Sequence, residues 1–421
     1  MKTITNHKKP TALNVLFLAL IFIGIFSVTA SAQVLPLDSV LYRVENNNPA
    51  ILSYINKINA ADELVNGARA LPPPKAGVML DENPYALEFG PKVIDFSVSQ
   101  SFPSVRQLNA KENYLKSRSY ISIKESEQLK NQFFSQAKIK YFERYVAEKR
   151  IKVLEENISL MKSMIEISEN QMASGMGDLG SIYRMKARLV KTETMLAEEQ
   201  NMVKEITVEL NYLMGTDLNQ TFSLDTNNLL KDYRTLNVLE QGNQLEINRS
   251  DIQKMNSEIT SMKLNREMVS TMSKPEFEVT AKHMARIGQP DMFALEAMVM
   301  IPIAPWSSKG YKSEVKSMGL AIEAMEQDKQ AMLNMANKML SMLLIEMNSN
   351  YLKADNYSTK VIPTYKKSFE ANLLAYSQNT GDMMNVILAW DDLLMAQMEY
   401  INIQGELLKT QAEYEREMQI R

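Results

Sequence analysis

Alternating apolar and polar residues mark short stretches of this chain, and three- to four-residue spacing marks the long stretches between them. In residues 92–102 the apolar Ile94, Phe96, Val98 and Phe102 take even positions, while Asp95, Ser97, Ser99 and Ser101 take odd ones. A period of two puts each set on its own face of a strand. Phe277, Val279, Ala281 and Ile287 likewise oppose Glu276, Glu278, Lys282 and Arg286. After the turn Gly288-Gln289-Pro290-Asp291, the residues Phe293, Leu295, Val299 and Ile301 form the face of another strand. A less sharply patterned first strand is expected within residues 77–88. Strands of roughly ten residues match the length that crosses a bilayer at a tilt.

Between the strands the pattern is helical. Residues 104–171 contain neither proline nor glycine, so one helix there could approach about 100 Å at about 1.5 Å per residue. A return helix is predicted over 182–213, with Met185, Leu189, Met195, Leu196, Ile206 and Leu210 along an apolar stripe and Gly215 as its stop. The second half repeats this plan with helices over 311–376 and 386–421, the first of them kinked or broken at Pro363. A shorter helical pattern over 35–70 is interrupted at Asn46-Asn47-Asn48-Pro49 and ended by Pro72-Pro73-Pro74. Another runs over 251–272 and stops at Ser273-Lys274-Pro275. Residues 216–245 are polar and turn-rich, with Asn227-Asn228 and Gly242-Asn243, and read as a belt connecting the two repeats or as a flexible linker.

The organisation that follows is an export signal (1–32), a first structural repeat (33–214), a connecting equatorial segment (215–245) and a second repeat (246–421). The fold class is mainly α with a small β part. A soluble sandwich needs about seven strands, and four strands split by long helices do not supply them. A barrel shared among subunits does, because closure removes the exposed edges.

Composition narrows the setting. Lys2, Lys8 and Lys9 precede an apolar core and an Ala30-Ser31-Ala32 cleavage site, the order of a secretory signal; a retained membrane anchor is the competing reading. Beyond it there is no long uninterrupted apolar run, which argues against further membrane-spanning helices. There is no cysteine, so neither disulfides nor a thiolate metal site are expected. Removing three lysines with the signal takes the net charge from −3 to about −6, with no basic stripe for nucleic acid. The two histidines, His7 and His283, fall in the signal and in a strand. Acidic residues spread along helices read as solvated faces, so no catalytic residue, metal site or cofactor is expected and the chain is not read as an enzyme.

The helix-to-helix turns are the candidate site. Gly175, Gly177 and Gly381 can take the positive φ that a reversal requires, and Asn379 tolerates it. Asp178, Ser181, Asp382 and Asn385 beside them are positioned to line an aperture or simply to cap the returning helices.

In order and spacing, nearly the whole chain after the signal resembles the TolC family of outer-membrane efflux ducts. The Asn48-Pro49 pair, Pro103 and Pro302 at the starts of long helices, and the turns at 175–179 and 376–383 all match that plan. The resemblance implies a homotrimer whose four strands per chain make a twelve-stranded barrel in outer-membrane lipid, with a helical coiled-coil tunnel reaching into the periplasm. It implies passive conduction from an inner-membrane pump through a periplasmic adaptor protein, with the turns meeting those partners. Several ducts carry an aspartate where this chain has Asn385, which weakens the expected ring of charge. Ser101-Phe102-Pro103-Ser104-Val105 and residues 301–306 look closest to the heavy-metal-efflux branch, which implies metal ions as cargo.

Methionine is abundant, at 30 residues. Met318, Met325, Met332 and Met339 recur every seven residues, with Met335 and Met342 on the adjacent row. They read either as a thioether path for Cu(I) or Ag(I) or as a coiled-coil seam. Residues seven apart are about 10 Å apart along a helix, too far to grip one ion, which favours the seam. Met284, Met292, Met298 and Met300, in or near strands, are the places to look for metal contacts. Two other classes fit less well: an adaptor normally has one hairpin in soluble β domains, and a structural coiled coil would lack the strands.

Overall fold

In the computed structural model the described residues are 33–81, 92–175, 177–227, 229–233 and 245–420. The expected export signal, the second half of the expected first strand, Asn228 and Gly242-Asn243 lie outside them.

Helices dominate. Ser104 caps α3 (Val105–Ala173), accepting a bond from the Gln107 amide at 3.2 Å. With 69 residues, α3 runs for about 100 Å. It returns as α4 (Leu179–Met214), which ends at Gly215 with φ 64°. In the second half, α5 (Ser250–Ser270) rises, α6 (Pro305–Asn356) descends, and α7 (Ile362–Ser377) leads to the return helix α8 (Met383–Met418). One π-helical turn, Tyr357–Val361, joins α6 to α7 just before Pro363. That is the expected interruption: the proline has no amide hydrogen and its ring crowds the carbonyl four residues back, so the ladder is respaced and the helix continues.

Two short helices, α1 (Leu37–Asn47) and α2 (Pro49–Asn66), precede these and meet at Asn48. The Asn48 side chain accepts from the Ala50 amide at 2.9 Å and donates to the Leu213 carbonyl at 2.9 Å. This ties the break to the end of α4. The first helical segment ends earlier than expected, at Gly67 and not at the proline run. Glycine is a poor helix residue, and it closes the helix before the prolines are reached.

A cluster of buried residues at mid-length joins Val40 and Val44 of α1, Tyr141 and Phe142 of α3, and Leu210 and Met214 of α4. Two three-residue strands, β1 (Gln33–Leu35) and β4 (Phe222–Leu224), pair in parallel beside it. They are too short to leave a periodic signature. Tyr141 sews them to α3: its hydroxyl lies 2.8 Å from the Leu35 carbonyl and 3.0 Å from the Asp225 amide. Burial pushes this phenol up to about 12. About one turn nearer the sheet, Lys138 pairs with Glu415, their side chains 4% and 1% exposed. Lys231 Nζ and Tyr233 OH also donate to Glu415, at 3.0 and 2.8 Å. Burial works to protonate Glu415, but the Lys138 charge and these hydrogen bonds outweigh it and hold the carboxyl below its ordinary value. Within 216–233, Phe222 and Asp225 thus bond to α3, and Leu229, Lys231 and Tyr233 bond to α8.

The remaining strands form one antiparallel sheet in the order β2 (Lys75–Asp81), β3 (Val93–Phe102), β5 (Glu276–Arg286), β6 (Met292–Met300). The first strand begins slightly before its expected position. β2 and β3 belong to the first half of the chain and β5 and β6 to the second, so the two halves meet along β3 and β5.

Candidate functional site

The register of the sheet aligns its faces. Val78, Phe96, His283 and Phe293 are successive cross-strand partners, as are Ala76, Val98, Ala281 and Leu295. All these positions but His283 are apolar, and they lie on the outward side: Val98 is 56%, Leu295 74% and Phe293 80% exposed. The opposite side carries Asp95, Ser97, Glu278, Thr280, Lys282 and Glu296 and is the more buried of the two. Ion pairs cross it, Lys282 to Glu296 at 2.8 Å and Lys75 to Glu278 at 3.3 Å. Water-soluble sheets bury the apolar face; here the arrangement is inverted, as in a barrel wall between lipid and an aqueous lumen. Both outer strands have one edge with no partner strand among the described residues. No described helix is long and apolar enough to cross a membrane.

At the other end of the molecule the two helical hairpins reverse side by side. Gly175 has φ +76°, the conformation expected for it, and Asn379 also takes a positive φ, 56°. Gly177 and Gly381 do not. They are required for space: a Cβ on Gly177 would sit 2.7 Å from the Met172 backbone, and one on Gly381 would sit 3.0 Å from Ala375 Cβ.

Both aspartates cap the returning helices. Asp178 accepts from Ser181 Oγ at 2.8 Å and from the Gly180 and Ser181 amides at 3.1 and 2.9 Å. The Ser181 hydroxyl first, then the amides, hold its carboxyl below the ordinary aspartate value. Asp382 accepts from the Met384 amide at 3.1 Å. Ser181 is buried against its cap, whereas Asn385 is exposed. All eight predicted residues therefore gather at one end, but they meet there as turn and cap groups.

Several contacts between the hairpins were not foreseen from the sequence. Gln171 Nε2 donates to the Tyr376 carbonyl at 3.3 Å, and the Tyr376 and Ser168 hydroxyls lie 3.3 Å apart. Arg184 Nη1 lies 3.5 Å from Met384 Sδ, and Arg188 pairs with Asp391 at 2.6 Å. Burial raises the Asp391 pKa, against the opposing charges of Arg188 and Lys191. Arg188 and Asp391 fall at unequal distances after the two capping aspartates, and nothing in that spacing marks either charge as paired. Beneath them Met164, Met185, Met383, Val386 and Trp390 pack in one buried cluster. Among the described residues no group of three His, Cys, Asp or Glu side chains could hold a metal ion.

An inverted four-stranded sheet continued by two long helical hairpins is the fold of outer-membrane channels. Solved structures bear this out. The outer-membrane channel OprN matches with a TM-score of 0.74 at 13% identity, covering 91% of this chain and 89% of that one. CusC, for which folding and transmembrane channel formation are described, gives 0.74 at 12%, covering 91% of each chain. The CmeC outer membrane channel of Campylobacter jejuni gives 0.73 at 15%, covering 91% and 85%. At such identities the likeness is one of fold. The sequence matches no family model and no curated protein.

Proposed function

We propose that this chain is the outer-membrane duct of a tripartite efflux system, passively conducting substrate outward from an inner-membrane pump and a periplasmic adaptor. The observation that carries this reading is the inverted sheet with its two open edges. An apolar face left outward costs about 25 cal/mol per Å² in water, and lipid removes that cost. Four strands cannot close on themselves, since barrels in outer membranes begin at about eight. Three copies give twelve strands, each β2 edge meeting the β6 edge of the next copy, and the polar face then lines the lumen. The helical hairpins prolong the same tube on the periplasmic side.

The hairpin end is the proposed aperture and partner-contact surface, with Gly175, Gly177, Asp178, Ser181, Asn379, Gly381, Asp382 and Asn385 forming its turns. Asp178, Asp382 and Asn385 are exposed there. The reaction is transport; the chain contributes walls and a constriction. Similarity to CusC does not select a cargo, because OprN is matched with an equal TM-score.

Two measurements test the proposal. The chain should fractionate with the outer membrane as a heat-resistant trimer, and the purified trimer should give discrete conductance steps in planar bilayers. A soluble periplasmic monomer without conductance would overturn it.

A further inference from the structure

In the belt, one buried cation borders a cavity. Arg144 of α3 has a side chain only 7% exposed. Its Nε donates to Glu148 Oε1 at 3.0 Å, its Nη2 donates to the Phe222 carbonyl, and the Phe222 ring lies 4.4 Å from its Cζ. Nη1 is buried and has no hydrogen-bond partner. The stacked ring covers the face of the guanidinium, whereas the Nη1 hydrogens lie in its plane, so stacking does not satisfy them. A buried donor left unmatched costs free energy that an entering acceptor recovers.

The cavity that Arg144 lines has a volume of about 380 Å³ and lies between α4 and residues 218–222. Val203, Val208, Leu218 and Phe222 give it apolar walls, Lys204 adds a second, exposed cation, and none of the described residues lining it is acidic. Lys204 Nζ donates to Asn201 Oδ1 at 3.2 Å, a neutral acceptor that leaves the charge uncompensated. The acids nearby are already engaged: Glu148 by Arg144, and Asp217, whose Oδ1 accepts from the Asn219 amide at 3.0 Å. We infer that this cavity binds a monocarboxylate with a short apolar body, its carboxylate accepting from Arg144 Nη1 and attracted by Lys204. Planar guanidinium donors match the geometry of a carboxylate, and bonds between charged partners are the strong ones. Glu148 offsets Arg144, so the charge left over is that of Lys204, which balances a monoanion and not a phosphate dianion. A cavity of this size, mostly apolar with a few placed polar groups, suits a small organic ligand. The site lies in the belt, away from the sheet and from the hairpin turns, and does not depend on the duct reading.

The test is calorimetric titration of the full chain in detergent with sodium butyrate, in a buffer free of carboxylate and phosphate and held at constant ionic strength. The wild type should show one saturable site per chain. Lys204→Gln should weaken it about fivefold, as expected for one solvent-exposed charge beside the ligand. Val208→Trp fills the cavity and should abolish binding; Val208 is 42% exposed, so the helix tolerates the larger side chain. Arg144→Lys keeps the charge but loses the planar fork, and should lose the site as well. Because that change also removes the bond to Phe222, gel filtration and circular dichroism check its fold, and the other two variants decide if it fails. As a second reading, butyrate should raise the thermal midpoint of the wild type and leave that of Val208→Trp unchanged. No saturable binding to the wild type, or equal binding to Val208→Trp, would overturn the site. Inorganic phosphate binding as tightly as butyrate would overturn its assignment to a monocarboxylate. Bilayer conductance of the same wild-type sample is scored separately, so that the site and the duct can each fail alone.

Discussion

At the residue scale, the turn glycines divide by mechanism. Gly175 supplies a left-handed conformation, whereas Gly177 supplies the absence of a side chain. Replacing Gly177 by alanine drives a methyl into the Met172 backbone, which cannot move as a side chain would. The expected cost is about 1–3 kcal/mol, the range for overpacking a close contact, read as a lower thermal midpoint. Asp178 offers a different test. Its folded pKa is depressed, so the stability its cap contributes is complete above the ordinary aspartate value of 3.8 and is lost as pH falls through the lower folded value. Asp178→Ala should lower the protection factors of the Gly180 and Ser181 amides near neutral pH, and acidification through the folded pKa should lower them in wild-type protein, each taken against the intrinsic exchange rate at that pH. Protection factors unaffected by either change would show that the cap does not hold the helix end.

At the element scale, two interactions between helices carry opposite pH signatures. Glu415 has a depressed pKa, so its contribution to the belt is full above about 4.5 and fades as pH drops through the folded value. Lys138→Met leaves that carboxylate buried without its main partner and should cost about 3–5 kcal/mol. Adding Glu415→Leu should recover most of the loss, because a paired apolar replacement leaves no stranded charge; chemical denaturation of both variants decides. Asp391 has a raised pKa, so it takes up its proton at a higher pH than an ordinary aspartate. Acidification through that window relieves a buried charge and removes its attraction for Arg188 together. The expected change is therefore in the separation of the hairpin ends, measured between spin labels on the two turns, with little change in overall stability.

The long elements were legible in the sequence because period and punctuation agree: an unbroken run without proline or glycine for α3, alternation for β3, β5 and β6. Lys138, Glu415 and the Arg188–Asp391 pair were not legible, since an isolated charge on a helix looks solvated until its neighbour is placed. Asp178 and Asp382 cap the returning helices through local hydrogen bonds, as one of the two readings of those residues has it; the aperture reading is the one proposed above.

At the scale of the whole molecule, the sheet presents lipid-compatible residues outward and leaves an edge on each side. On the proposed trimeric barrel, a charge placed on the outward face at Val98 or Leu295 should lower stability by about 2–4 kcal/mol at a mid-bilayer position. The check is the temperature at which the proposed trimer dissociates on gels. The same charge at Ser97, on the other face, should leave that temperature nearly unchanged; equal effects at both positions would contradict the inverted orientation. The two edges also set how this gene should behave in inheritance. In the proposed trimer every chain lends one edge to each neighbour, so a copy with prolines along β6 would still accept a partner at β2 while refusing one at β6. Such a copy would enter rings that it cannot finish. In a cell that also makes the normal chain, the defect should be dominant, because only rings drawn wholly from normal copies would close.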